Sequence, residues 1–459
     1  MKKYLLGFLL FGSIVLSSCI KDEDGVVLSN DCYIVEFTLG TISQVLPIKA
    51  SDGSDSTYTI SIDGAYFPMT IDHRNQLIEN RDSLPYNAKV DGLLATVGYS
   101  GAMLSYRDAE AQGDSAWTAY STSDTINFSR PLHFSVMAPD GETFRIYTVK
   151  VNVHQQEGDS LYWNRSDTIV PALDAMTEMK SVALQGKLLV LGRTADGVNA
   201  AIRNGLGVNG EWEQQMTSLP ADADLSTLRT KDETAYMTSA SGQLYASTDG
   251  LQWEALGQRR EGMTLAAVSD SYFYAMIDGK LYRSADAEEW QEESLDEDAA
   301  NLPQYGIQSV NYTQKNGAKR LFVAGASAKE DAPTCLSWSK MWRYDSVEDD
   351  TMWMFFNPSA DNSYYSPLLE HQSLFQYDGR LMTFGGKRLD KEGKSMSCLY
   401  VSNDNGITWK ADLNLHLPFE LSGVEGPLAA TVDANNYIWI IANKQVWRGR
   451  LNRLGFVQR

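Results

Sequence analysis

From Cys32 to the end of the chain, apolar and polar positions alternate in short runs broken by turn residues, and this period of two predicts strands. Between Cys32 and Val153 the breaks fall at Ser51-Asp52-Gly53-Ser54-Asp55, Asp63-Gly64 and Asp91-Gly92. The clearest pair is Leu132 to Ala138, a Pro139-Asp140-Gly141-Glu142 turn, and Phe144 to Val153. In its second arm Phe144, Ile146, Thr148 and Lys150 face one way, while Arg145, Tyr147, Val149, Val151 and Val153 mostly face the other. Gln155 to Ser160 reads as a linker. Beyond it, apolar strand-like runs recur at Lys187–Gly192, Thr234–Thr238, Tyr272–Met276, Arg320–Gly325, Arg380–Gly385 and Tyr437–Ile441. Their spacing of roughly 40 to 60 residues is that of propeller blades. Six such units fit between Ser160 and Arg459, with seven as the alternative. Closure is expected from Leu161-Tyr162-Trp163 pairing near the last strands, Val446 to Phe456, which leaves no open sheet edge.

Strand-like leads at Gln243-Leu244-Tyr245, Lys280-Leu281-Tyr282 and Cys398-Leu399-Tyr400 each run into a repeated polar turn. Ser402-Asn403-Asp404-Asn405-Gly406-Ile407-Thr408-Trp409 has the spacing of an Asp-box hairpin, with degraded copies at Ser247, Asp249 and Trp253 and at Ser284, Asp286 and Trp290. Short polar side chains accept bonds from turn amides, Gly406 supplies a positive φ, and the Trp returns between sheets. These residues are expected to be structural.

The N-terminus carries different information. Lys2 and Lys3, an apolar run from Tyr4 to Leu16, and Leu16-Ser17-Ser18-Cys19 read as a signal peptide over residues 1–18 that ends in a lipobox-like sequence. Cys19 is therefore expected to be the lipidated anchor, with the membrane as its partner and residues 19–31 as anchor and linker. The acidic cluster Lys21-Asp22-Glu23-Asp24 resembles an export signal of Bacteroidetes surface lipoproteins, and reads equally as a solvated linker. The formal charge of −20 becomes −22 once Lys2 and Lys3 are removed, and so acidic a chain is repelled by nucleic-acid phosphates. Three cysteines remain, Cys32, Cys335 and Cys398; Cys335 and Cys398 lie in neighbouring repeats and are candidates to pair.

The hairpin ending at Val153 resembles the last strands of immunoglobulin-like or cadherin-like sandwiches, which places such a β-sandwich at 32–154 and a linker at 155–160. Gly379 to Gly386 resembles a kelch blade, so that the propeller at 161–459 mixes two signatures. With the lipobox, the sandwich and the terminal Trp447-Arg448-Gly449-Arg450-Leu451-Asn452, the chain resembles a Bacteroidetes lipoprotein family of unknown function. The resemblance implies an all-β architecture and an outer-membrane location, surface-exposed or facing the periplasm.

Candidate chemistry is sparse. Phe144-Arg145-Ile146-Tyr147 comes close to the Arg-Ile-Pro motif of sialidases, but Tyr147 replaces the proline and no Arg triad or nucleophile pair follows. Gly205 to Gly210 spells G-x-G-x-x-G without a following helix and reads as a turn. The five histidines have no metal-ligand spacing, and the acidic groups Asp296-Glu297-Asp298 and Glu348-Asp349-Asp350 lack the alternation of a calcium loop. No metal and no cofactor is expected. Arg193 to Asn199, Ala326 to Thr334, Asn357 to Pro367 and Lys387 to Ser397 are expected on the face opposite the Asp-box turns. There Tyr364 and Tyr365 offer stacking faces and Lys387 and Arg388 offer donors to a glycan or protein ligand. The reading is a non-catalytic binding module; the alternative is a glycoside hydrolase or lyase of sialidase-like propeller type.

Overall fold

The computed structural model describes residues 28–49, 54–167, 169–207, 210–328, 333–343, 348, 351–359, 362–390, 398–421, 424 and 426–456. Cys19, the segment before it and the acidic cluster after it lie outside the described residues. Two compact units divide between Gly158 and Asp159. Both are built of strands, and the helical segments among the described residues are short 3₁₀ turns.

In the first unit a six-stranded sheet runs in the order Met69–Asp72, Leu77–Asn80, Phe144–Lys150, Leu132–Met137, Met103–Asp108, Thr118–Ala119. Tyr33–Leu39 pairs with Ala95–Ser100, and Thr41–Lys49 lies between Asp55–Asp63 and Ala88–Lys89. The alternation in Phe144–Lys150 is realised: Tyr147 and Val149 are buried, Phe144 and Ile146 exposed. Phe37, Phe128 and Phe134 centre the core in edge-to-face contacts. Buried Asn80 ties the strand ends by donating to Asp82 O and Asn152 O at 2.7 and 2.9 Å and accepting from Asn152 N–H.

The second unit consists, among the described residues, of six four-stranded antiparallel sheets. The first sheet holds Glu178–Leu184, Lys187–Thr194, Gly197–Asn204 and Glu211–Met216; the second Arg229–Lys231, Thr234–Thr238, Leu244–Ser247 and Glu254–Leu256. The third holds Thr264–Val268, Phe273–Ile277, Lys280–Ser284 and Gln291–Glu292; the fourth Tyr305–Thr313, Lys319–Ala326, Cys335–Trp342 and Met354–Phe356. The fifth holds Ser373–Tyr377, Arg380–Phe384, Cys398–Ser402 and Lys410–His416. The sixth takes Leu428–Val432, Ile438–Ala442 and Gln445–Leu451 from the end of the chain and Leu161–Asp167 from the start of the unit. Leu161 faces Leu451 and Trp163 faces Gly449 in that junction, and Trp163 Nε1 donates to His416 O of the fifth sheet at 2.8 Å.

Apolar clusters fill the space between each sheet and the next, the last of them joining the sixth sheet to the first through Trp439, Ile441 and Val446 against Leu188, Val190 and Met179. Second strands are therefore covered on both faces, which is why Leu188, Leu189, Val190 and Leu191 are all buried.

Three Ser/Asp/Trp turns join the third and fourth strands of the second, third and fifth sheets. In each, the Asp carboxylate accepts two amides or an amide and a hydroxyl: Leu251 and Gln252 N–H on Asp249, Glu288 and Glu289 N–H on Asp286, Thr408 N–H and Oγ on Asp404. The Ser hydroxyl donates to the same carboxylate, and the Trp indole N–H closes the turn on Gly250, Ala287 or Gly406 O. Gly250 and Gly406 have φ of 73° and 100°, and Ala287 adopts 65° at the equivalent point. Cys32, Cys335 and Cys398 are buried, and among the described residues no disulfide joins the fourth and fifth sheets. Burial pushes the Cys335 thiol up to about 12.

Candidate functional site

The innermost strands of all six sheets line a cavity of about 520 Å³. Lys180 enters it from the first sheet, Arg229 from the second, Gln308 from the fourth, and Phe375 and Ala430 from the fifth and sixth. At one end a smaller pocket of about 240 Å³ shares Lys180 and Gln308 and is rimmed by Tyr305, Glu370, His371 and Leu389. Ala326, Pro333 and Leu389 place this mouth at the connections between second and third strands of the fourth and fifth sheets.

Two cations set the electrostatics. Lys180 Nζ donates to Gln308 Oε1 at 3.1 Å and to Gln372 O at 2.6 Å, reaching from the first sheet to the fourth and to the entry of the fifth. Buried Arg229 gives its N–H groups to four backbone bonds: Nε to Ala266 O, one terminal nitrogen to Ser226 O and Leu228 O, the other to Ile307 O. Ala266 and Ile307 both stand where their inner strands slip register, between Leu265 and Ala267 and between Tyr305 and Gln308, and Gly306 beside the second has φ of 58°. A bulge frees a carbonyl from the ladder, and Arg229 satisfies both. Gln308 Nε2 shares the Ile307 carbonyl at 2.9 Å, so that Lys180, Gln308, Ile307 O and Arg229 form one connected chain.

Neither cation has a carboxylate partner among the described residues. Enclosure by protein, and then the nearby Arg229 charge, hold the Lys180 amine down at about 7, with Glu178 and Asp224 opposing. Enclosure likewise lowers Arg229 to about 10. Glu178 itself pairs with Arg193 at 3.3 Å, and Asp224 caps the turn at Ser226.

The four loop residues singled out from the sequence occupy different surroundings. Tyr364 is 54% exposed, under the Lys410 ammonium, and its carbonyl accepts from Trp409 N–H, which places it beside the Ser/Asp/Trp turn of the fifth sheet. Lys387 is exposed at the other end of that sheet, where its carbonyl accepts from Glu370 N–H on the mouth rim. Arg388 forms a two-pronged pair with Asp390 at 2.9 and 2.5 Å and lies over the Tyr400 ring. Burial raises the Tyr365 hydroxyl first, with Asp390 adding to the shift, so that Tyr365 and Arg388 meet at one carboxylate. None of the four lines either cavity.

Sequence reasoning missed Lys180, Arg229 and Gln308. The available signal was a cation inside an inner strand, as in Glu178-Met179-Lys180-Ser181-Val182, where alternation otherwise marks core. Arg145 lies within a strand of the first unit, and of the Gly205 to Gly210 segment, which follows the third strand of the first sheet in the chain, Val208 and Asn209 lie outside the described residues. Among the described residues no group of three or more His, Cys, Asp or Glu is arranged to hold a metal, and no helix is long and apolar enough to cross a membrane.

Residues 157–459 match the model of the DUF6242 beta propeller domain, and residues 37–151 match that of the DUF6242 N-terminal domain, a domain of unknown function. No curated protein matches the chain. Among solved structures, an α-L-arabinanase of Penicillium chrysogenum complexed with arabinobiose is similar over 65% of this chain and 99% of its own, at 11% identity and a TM-score of 0.37. YjhT is similar over 62% of this chain and 95% of its own, at 10% identity and a TM-score of 0.40. An endo-arabinase from Bacteroides thetaiotaomicron shares 9% identity over 62% of this chain and 95% of its own, with a TM-score of 0.30. Likeness at that level carries nothing about substrate. With both units matched by its models, the chain belongs to the DUF6242 family, an all-β protein whose C-terminal part is a β-propeller.

Proposed function

We propose that this protein is an outer-membrane lipoprotein, anchored through Cys19, in which an immunoglobulin-like or cadherin-like β-sandwich precedes a six-bladed propeller with Asp-box turns, and that it works as a non-catalytic binding module for a glycan or protein ligand. Six sheets with an apolar cluster between each neighbouring pair support the blade count. The observation that carries the binding role is the pocket where the central cavity opens among the second-to-third-strand connections, since propeller ligands need a concave, partly polar site of this kind. Glu370 stands on its rim, and Lys387 lies just outside, its carbonyl accepting from Glu370 N–H. Arg388 and Tyr365 act one layer back, holding Asp390 and with it the Leu389 segment that lines the mouth.

Screening the full chain against glycans and surface proteins tests the role. A ligand of this face weakens several-fold on Lys387→Ala, is indifferent to Tyr364→Ala, which stands beside Trp409 and lines neither cavity, and is recovered chemically unchanged. Turnover of a bound glycan, or binding that ignores the mouth, refutes the reading. The anchor has its own test. Cys19→Ala is expected to abolish acylation and move the protein out of the detergent phase on partitioning, and unchanged partitioning rules the anchor out.

A further inference from the structure

We infer that Lys180 is the anion-recognition group of the central cavity, and that the ligand it takes is a polyhydroxylated carboxylate of hexuronate size whose carboxylate enters through the mouth. This rests on the binding role proposed above. An ammonium has three N–H donors, and Lys180 spends two of them, both on neutral acceptors. Arg229 adds a fixed positive charge beside it: Arg229 bonds Ile307 and Lys180 bonds Gln308, adjacent residues of one strand. Like charges without carboxylate partners among the described residues, enclosed by protein walls, focus a positive potential around Lys180 and Arg229, while Asp232 and Asp270 line the cavity elsewhere and Glu178 and Glu370 line the mouth. The rest of the lining suits hydroxyl groups. Ser181, Thr230, Ser309 and Thr431 face the space from four different sheets, and the buried Ser181 hydroxyl has no hydrogen-bond partner among the described residues.

The charged groups around Lys180 decide how binding responds to pH. Glu178 stands on its own strand, Asp224 before the second sheet, Arg229 on it, and Glu370 and His371 before the fifth. Glu178 is committed to Arg193 and Asp224 to its turn, so Lys180 is the group whose proton a carboxylate would draw in. With the amine held at about 7, a bound carboxylate favours the protonated form, and affinity falls as pH rises through neutrality.

Calorimetry on the full chain with galacturonate, galactose and inorganic phosphate tests this. Galacturonate is expected to bind at least about tenfold more tightly than galactose or phosphate, and to lose about tenfold or more in affinity between pH 6 and pH 9. Lys180→Met removes galacturonate binding; Lys180→Arg retains it with a flattened pH profile and no proton uptake. Equal affinity for galactose, equal competition by phosphate, a flat pH profile in the unaltered protein, or undiminished binding in Lys180→Met each overturns the inference. A neutral ligand that binds the mouth in a Lys387-dependent manner would sink this inference and leave the binding role standing. Absence of any ligand for that face would sink both.

Discussion

At Gly406 two constraints fall on one Cα. Its φ of 100° lies in the left-handed region, and a Cβ there would stand 2.2 Å from Phe322 Cε2 of the neighbouring sheet. The backbone term costs an alanine about 1–2 kcal/mol, and the forced repacking of Phe322 about 1–3 kcal/mol more. Gly406→Ala is therefore expected to lower unfolding free energy by about 2–4 kcal/mol, in the range of Trp409→Ala at about 3–5 kcal/mol for a ring that is 2% exposed. Urea denaturation reads both. A Gly406→Ala midpoint equal to that of the unaltered protein would show that the turn is not clamped against the fourth sheet. The third sheet shows how the constraint can relax: Ala287 accepts the same backbone at φ of 65° because Gly257 leaves room for its methyl.

At the level of elements, what could be read in the sequence follows from burial. The six apolar runs seen in the chain are the second strands of the six sheets. Each is covered on both sides by neighbouring sheets and so reads as continuous apolar sequence, as in Leu321, Phe322, Val323 and Ala324. Outer strands such as Glu211–Met216 are mostly exposed, and carry no such signal. Inner strands face a polar cavity on one edge and packed sheets on the other, so Lys180 and Arg229 interrupt their pattern without announcing a site. The carbonyls at the register slips, Ala266 and Ile307, are bonded by an arginine distant in sequence, and only Gly306 marks either slip in the chain. The loop residues Tyr364, Tyr365, Lys387 and Arg388 were visible as chemistry. What the sequence could not give was their partners: Asp390 for Arg388 and Tyr365, and the fifth-sheet turn for Tyr364. The cavity lies further from reach because Lys180, Arg229, Gln308 and Gln372 meet only after the ring has closed.

Across the whole propeller, Lys180 and Arg229 tie opposite sheets together at the axis, the first joining the first, fourth and fifth, the second joining the second, third and fourth. A cation in that place both binds and burdens the fold. The unfolded chain holds its lysine proton up to about 10.4, whereas Lys180 in the fold holds it only up to about 7. Between those values the unfolded state binds more protons, so this residue makes stability rise with pH across the window and contributes a constant penalty below it. Lys180→Met lacks the titration. It is expected to gain on the unaltered protein most at and below about pH 7 and progressively less toward about pH 10, where the neutral amine still bonds Gln308 and Gln372. Paired denaturation curves at several pH values measure the difference directly, since every other titrating group is common to both proteins. Parallel stability profiles would mean that the amine keeps an ordinary affinity for its proton, and that the cavity places no electrostatic demand on what fills it.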